Sequence, residues 1–139
     1  MVAEEPRRPA PLLTQDNEGF WNAALDGRLV IQRCSSCAAL HHPPRPMCPV
    51  CQSVELEFID AAGTGSVYSY AILHHPQHPS FDYPVIAALV QLDEGVRLVT
   101  NLVDIDPADV AIDMRVEVQF APTAEGAAVP VFRPVGADG

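Results

Sequence analysis

Two Cys-x-x-Cys pairs, Cys34-Ser-Ser-Cys37 and Cys48-Pro-Val-Cys51, stand ten residues apart and use every cysteine of the chain. Each pair makes a tight turn in which two thiolates converge on one ion, and the spacer carries the second pair to the opposite side of a tetrahedron. That is the spacing of a zinc ribbon. Cys34, Cys37, Cys48 and Cys51 are therefore the expected metal ligands. A site closed by four protein sulfurs keeps no position for water or substrate, so the metal is expected to be structural. Zinc is the first reading and iron the second, since Cys48-Pro-Val-Cys51 also has the form of a rubredoxin knuckle, and iron would make the chain an electron carrier. Two disulfides in an exported protein are the other use of four cysteines. The opening Met-Val-Ala-Glu-Glu-Pro lacks the basic and apolar regions of a signal peptide, which favours metal. No apolar run approaches a membrane span, and the cytoplasm is the expected compartment.

Eighteen acidic side chains face eight basic ones, a formal charge of −10, and all eight basic residues are arginine. Binding to nucleic acid depends on many cationic contacts to phosphate, so the balance argues against it. The absence of lysine excludes Schiff-base catalysis. With the thiols committed to metal, no Gly-x-Ser-x-Gly and no phosphate loop, the chain offers no nucleophile of its own, and a non-catalytic role is expected.

A chain of 139 residues holds one compact domain or a small domain with an appendage. Residues 1–12 carry three prolines and paired charges without apolar period and are expected to be a disordered tail, as is Ala137–Gly139. Residues 13–27 are expected to form a helix capped by Thr14 and stopped at Gly27, with Phe20, Trp21, Ala24 and Leu25 as its apolar stripe. Residues 28–58 form the ribbon: a strand over Arg28–Arg33, an extended proline-rich link between the knuckles, and a strand over Val54–Phe58. Residues 59–135 read as five strands, Ser66–His74, Val85–Leu92, Val96–Val103, Met114–Ala121 and Val129–Pro134, with a hairpin at Asp93-Glu94-Gly95 and a helical turn at Pro107–Val110. Val116, Val118 and Phe120 alternate inward. The fold class is mainly β, a helix, a zinc ribbon and a small barrel of the OB type, with an open sandwich as the alternative.

The stripe of the helix either covers this protein's own ribbon or barrel, or presents Phe20 and above all Trp21 to a partner. The loop after the first barrel strand holds Phe81 and Tyr83, which either bind a partner or plug the barrel mouth. The histidines cluster as His41-His42 and His74-His75-Pro-Gln-His78; prolines break the local geometry of the second group, and solvated rings are expected for both.

Phe20-Trp21, Val30-Ile-Gln-Arg-Cys34-Ser-Ser-Cys37, the segment from Pro43-Pro-Arg45 to Cys48-Pro-Val-Cys51, and Gly65-Ser-Val-Tyr-Ser69 together resemble acyl-CoA-associated OB-fold proteins with a rubredoxin-like zinc ribbon, the family once catalogued as domain of unknown function 35. The likeness runs from about Leu13 to Pro134 and rests on order and spacing; Ala38 departs from it, standing where many members have glycine. The resemblance implies a structural Zn2+ and a non-catalytic subunit complexed with a thiolase-fold enzyme, a thiolase or a lipid-transfer-protein type aldolase, in a heterotetramer-type assembly. It implies support of acyl-CoA carbon–carbon bond cleavage or formation, with steroid side-chain degradation as one setting. Should the coenzyme A thioester be touched, Arg33 and Arg45, beside the knuckles, are the residues for its phosphates; surface ion pairs are their alternative. A single-stranded nucleic-acid binder is the rival reading, since OB barrels and zinc ribbons both serve that role.

Overall fold

A computed structural model describes residues 6–136; the expectations for residues 1–5 and for Ala137–Gly139 lie outside the described residues. The elements in chain order are α1 (Glu18–Leu25), β1 (Val30–Cys34), β2 (Leu40–His41), β3 (Leu56–Asp60), β4 (Thr64–Leu73), β5 (Val85–Leu92), β6 (Arg97–Asn101), β7 (Arg115–Pro122) and β8 (Ala128–Pro134). The helix is shorter than expected because Thr14 and Asn17 close a turn of their own: the Asn17 side chain accepts from the Thr14 N–H at 2.7 Å, and the Thr14 hydroxyl accepts from the Asn17 N–H at 3.3 Å. At its other end the N–H groups of Gly27 and Arg28 return to the carbonyls of Ala24 and Ala23, the paired bonds of a Schellman stop, with Gly27 at φ +76°.

The ribbon is a three-stranded antiparallel sheet with β1 between β2 and β3. The barrel strands lie in the order β6-β5-β4-β7-β8. A parallel bridge from Leu102 to Phe132, with the Val103 N–H donating to the Phe132 carbonyl at 2.8 Å, nearly closes the ends onto each other in the manner of an OB fold. β4 serves both halves of this sheet, pairing β7 through Thr64–Ser66 and β5 along its length, with a bulge between Val67 and Ser69. At Gly65 a Cβ would collide with the Gln91 carbonyl, so only glycine allows the two strands this approach. A 3-10 turn at Pro107–Asp109, capped by Asp106, occupies the place of the expected helical turn.

Val67, Val90, Val116 and Phe132 are fully buried at the barrel centre, each worth about 2 kcal/mol of burial. Phe20 of α1 and Leu29, Val30 and Ile31 at the root of the ribbon belong to the same core, so helix and ribbon are built onto the barrel wall. Val116 points inward as its alternation requires, while Val118 and Phe120 are half-buried against the same core.

Within the stretch expected to be a disordered tail, Arg7 and Arg8 lie against the barrel. Arg7 donates to the Pro79 carbonyl at 2.9 Å and to Asp82 at 2.7 Å, Arg8 donates to the Asn101 side chain at 2.8 Å, and the Ala124 N–H donates to the Arg8 carbonyl. A proline-stiffened segment has little entropy to lose, and its two arginines find acceptors on the barrel. Among the described residues no helix is long and apolar enough to cross a membrane.

Candidate metal centre and the surfaces around it

The two knuckles are copies of one turn. In the first, the Cys34 N–H donates to the Ala39 carbonyl and the Ala38 N–H to the Cys34 carbonyl; in the second, Cys48 and Ser53, and Gln52 and Cys48, repeat the pattern. The residue after the second cysteine of each pair is left-handed, Ala38 at φ +66° and Gln52 at φ +61°. Glycine suits that conformation, so the departure noted at Ala38 carries a backbone strain that the hydrogen bonds of the turn hold in place. The hydroxyls of Ser36 and Ser53, 3.0 Å apart, join the two turns.

All four sulfurs lie within 4.8 Å of one another, and the cross-knuckle pairs Cys34–Cys51 and Cys37–Cys48 are 3.5 and 3.6 Å apart. A tetrahedron with metal–sulfur bonds of about 2.3 Å has edges of about 3.8 Å, and no two of these cysteines are disulfide-bonded. The donor set therefore fits a tetrathiolate ion. Cys34 and Cys48 are buried while Cys37 and Cys51 face solvent. The Cys37 N–H above all pulls the Cys34 thiol down to about 6. At Cys51 the Ser53 N–H pulls the same way, yet the Cys34 sulfur and burial outweigh it and push the thiol up to about 12. Four thiols this close do not ionise together unless a cation neutralises them, which is the service a divalent ion performs. The charge of four thiolates on one ion, with no further donor called for, makes a structural centre.

The expectation of solvated rings at His41-His42 is corrected. His41 is buried on β2, opposite Gln32 of β1, and its Nδ1 lies 2.8 Å from the Gln32 Oε1. That amide is itself held by the Arg45 backbone, whose N–H donates to Oε1 at 2.8 Å and whose carbonyl accepts from Nε2 at 2.9 Å. His41 Nδ1 must then carry the proton. Burial, and then the charge of Arg45, lower the His41 pKa. His42 packs on Phe20, ring centres 5.0 Å apart, and burial lowers its pKa to about 4.

Of the residues expected to meet a partner, Phe20, Trp21 and Phe81 line one cavity of about 400 Å3, between α1, the proline link and β6. Trp21 stands edge-on to Phe20 at 4.8 Å, half-buried, and Arg8 lies over Phe81 at 5.2 Å. Tyr83 is not brought there; its hydroxyl accepts from the His78 N–H at 2.9 Å and shapes the loop. Arg33 and Arg45 do not share a cavity. Arg33 lies 3.9 Å from Glu57, its cross-strand neighbour, whereas Arg45 lines a second cavity with Arg97. Arg8, Arg97 and Gln32 were not singled out by the sequence, and nothing local marks them, because their roles arise from pairings with distant strands.

Fold and site together define a rubredoxin-like zinc ribbon followed by an OB barrel. Family models match both parts in order: "ChsH2, rubredoxin-like zinc ribbon domain" over residues 21–57 and "ChsH2, C-terminal OB-fold domain" over residues 58–121. The chain belongs to the DUF35 family, in its ChsH2 branch. It is 48% identical to a chain of the solved "Ltp2-ChsH2(DUF35) aldolase", covering 91% of this chain and 99% of that one, with a TM-score of 0.87. It is 50% identical, over 91% of its length, to a probable enoyl-CoA hydratase alpha subunit of Thermomonospora curvata, and 36% identical, over 79%, to the 3-oxo-4,17-pregnadiene-20-carboxyl-CoA hydratase alpha subunit of Mycobacterium tuberculosis. The chain spans 40% and 35% of those two proteins' lengths. A DUF35 domain-containing scaffold protein of Methanocaldococcus jannaschii is 37% identical over 66% of this chain and 67% of its own length.

Proposed function

We propose that this chain is a non-catalytic subunit of an acyl-CoA lyase complex. It binds a thiolase-fold enzyme of the lipid-transfer-protein aldolase type, in a heterotetramer-type assembly, and supports carbon–carbon cleavage of an acyl-CoA, with a steroid side chain as the substrate class. The observation that carries this reading is the match of ribbon and barrel alike, nearly end to end, to the DUF35 chain of a solved aldolase. The pregnadiene carboxyl-CoA in the mycobacterial relative's name supports the steroid setting, and the scaffold name of the archaeal relative supports a non-catalytic role. In this reading the partner supplies the reacting groups. The ribbon's zinc holds a docking module in shape, Trp21 and Phe81 belong to the surface the partner meets while the buried Phe20 supports them, and Arg45, but not the Glu57-paired Arg33, meets the phosphates of the coenzyme A thioester.

Co-expression with candidate thiolase-fold proteins, followed by gel filtration with light scattering and an assay for retro-aldol cleavage, tests the proposal. A stable complex that is active only with both chains is the expected result. Failure to co-purify with any such protein overturns it. The hydratase names favour a second reading, in which this chain is one part of a hydratase subunit; hydration of an enoyl-CoA by the assembled complex, without cleavage, would support that instead.

A further inference from the structure

Among the described residues, carboxylates neutralise most of the arginines: Arg7 pairs with Asp82, Arg28 with Asp60, Arg33 with Glu57, Arg115 with Asp93 and Arg133 with Glu117. Of the remaining three, Arg8 is held by the Asn101 side chain and the Phe81 ring, and Arg45 and Arg97 have no carboxylate partner among the described residues, in a chain with more than twice as many acidic as basic groups. Both line the same cavity of about 410 Å3 between the ribbon and the β5–β6 hairpin, one on each wall. From this juxtaposition we infer that the cleft is a phosphate-binding site, with Arg45 and Arg97 as its two anion ligands.

Each arginine is held in position by bonds that leave its outer nitrogens unused. The Arg45 backbone is fixed on both sides by the buried Gln32, so its Cα is set even within a proline-rich link. The Arg97 guanidinium lies 3.7 Å over the Tyr68 ring and donates through Nε to Gln91 at 3.1 Å, which orients its Nη groups without consuming them. A carboxylate has one edge and is satisfied by a single guanidinium fork. A phosphate presents oxygens tetrahedrally and can accept from two forks, the number that the two arginines lining this cavity offer. His41 and His42 border the same cavity and are neutral at neutral pH, so its positive charge comes from the arginines. Arg33 is no part of this site.

For the identity of the molecule that carries the phosphate, the inference rests on the coenzyme A contact proposed above; the phosphate site itself stands apart from it. Titration of the zinc-loaded chain alone with inorganic pyrophosphate, followed by calorimetry and by amide shifts, is the test. Saturable one-site binding is expected. Arg45→Ala or Arg97→Ala should each weaken it about tenfold, the loss of one or two charge-assisted bonds, while Arg33→Ala stays within about twofold. Unchanged melting and zinc content in each variant keep a folding defect from imitating the result; both substitutions spare the backbone bonds to Gln32. No saturable binding overturns the inference, as does equal weakening by Arg33→Ala, which would mean diffuse attraction, or binding of an acidic peptide in place of pyrophosphate. Co-purification of the doubly substituted chain with its enzyme partner reports separately on the scaffold reading, so that the two can fail independently.

Discussion

The ribbon and the barrel solve the same problem by different means. Inside the barrel, Val67, Val90, Val116 and Phe132 exclude water from one another, and hydrogen-bonded strands enclose them. Around the knuckles almost nothing apolar is buried: Met47, Val50 and Val54 are exposed, and the two buried positions are the sulfur ligands Cys34 and Cys48. The ribbon has a hydrophobic footing where β1 joins the shared core, and beyond that footing it depends on its ion. A chain of this kind can keep its barrel while losing its ribbon.

The comparison is broken most forcefully by removing the metal. Chelation, or Cys34→Ser, should abolish ordered structure across residues 34–56 while the barrel retains its slow-exchanging amides, because ion binding contributes about 10 kcal/mol or more to so small a module. Phe132→Ala is the complementary blow. It should cost the barrel about 3–5 kcal/mol in denaturant unfolding and leave zinc bound in the native state. Hydrogen exchange with zinc analysis separates the two effects; a barrel that melts together with the ribbon on chelation would show one cooperative unit.

How much of this was legible in the chain follows the same division. Ligand spacing is written locally, and so is strand alternation: β5 runs over Val85–Leu92 as its apolar run requires, and Val116 faces inward. Bonds between distant residues leave no local trace. Arg7 meets Pro79 and Asp82 across more than seventy residues, and Arg8 meets Asn101 across 93, so a segment with the composition of a tail lies against the barrel. His41 and His42 look like loop residues by their proline neighbours. Their burial follows from the pairing of the two-residue strand β2 with β1 and from the Phe20 ring, neither of which periodicity can show over so short a run.

That burial sharpens the comparison through pH, since His42 sits where the ribbon link meets α1. Its folded pKa of about 4 lies below its ordinary 6.5, so the unfolded state takes up a proton first. The stability carried by the neutral ring is complete above about pH 6.5 and is lost as the pH falls toward 4. Between pH 7.5 and 5.5, where zinc saturation can be verified in each sample, the unfolding free energy should drop by about 1 kcal/mol from this group. His42→Phe should remove that part of the slope. An unchanged slope would mean that the ring is hydrated after all.

The smallest expected effect concerns the knuckles themselves, where two turns of the same form differ in side chain and share one strained backbone conformation. At φ +66° and +61°, Ala38 and Gln52 each hold a Cβ against the local carbonyl, and glycine removes that contact at the cost of a more flexible unfolded chain. Ala38→Gly should therefore stabilise the ribbon by about 0.5–1 kcal/mol, read as a several-fold gain in zinc affinity by competition with a chelator, with barrel stability unmoved. Gln52→Gly should give a gain of the same order, because the second turn repeats the first bond for bond. A gain at one position and a loss at the other would mean that the side chain, and not the left-handed backbone, sets the cost at that knuckle.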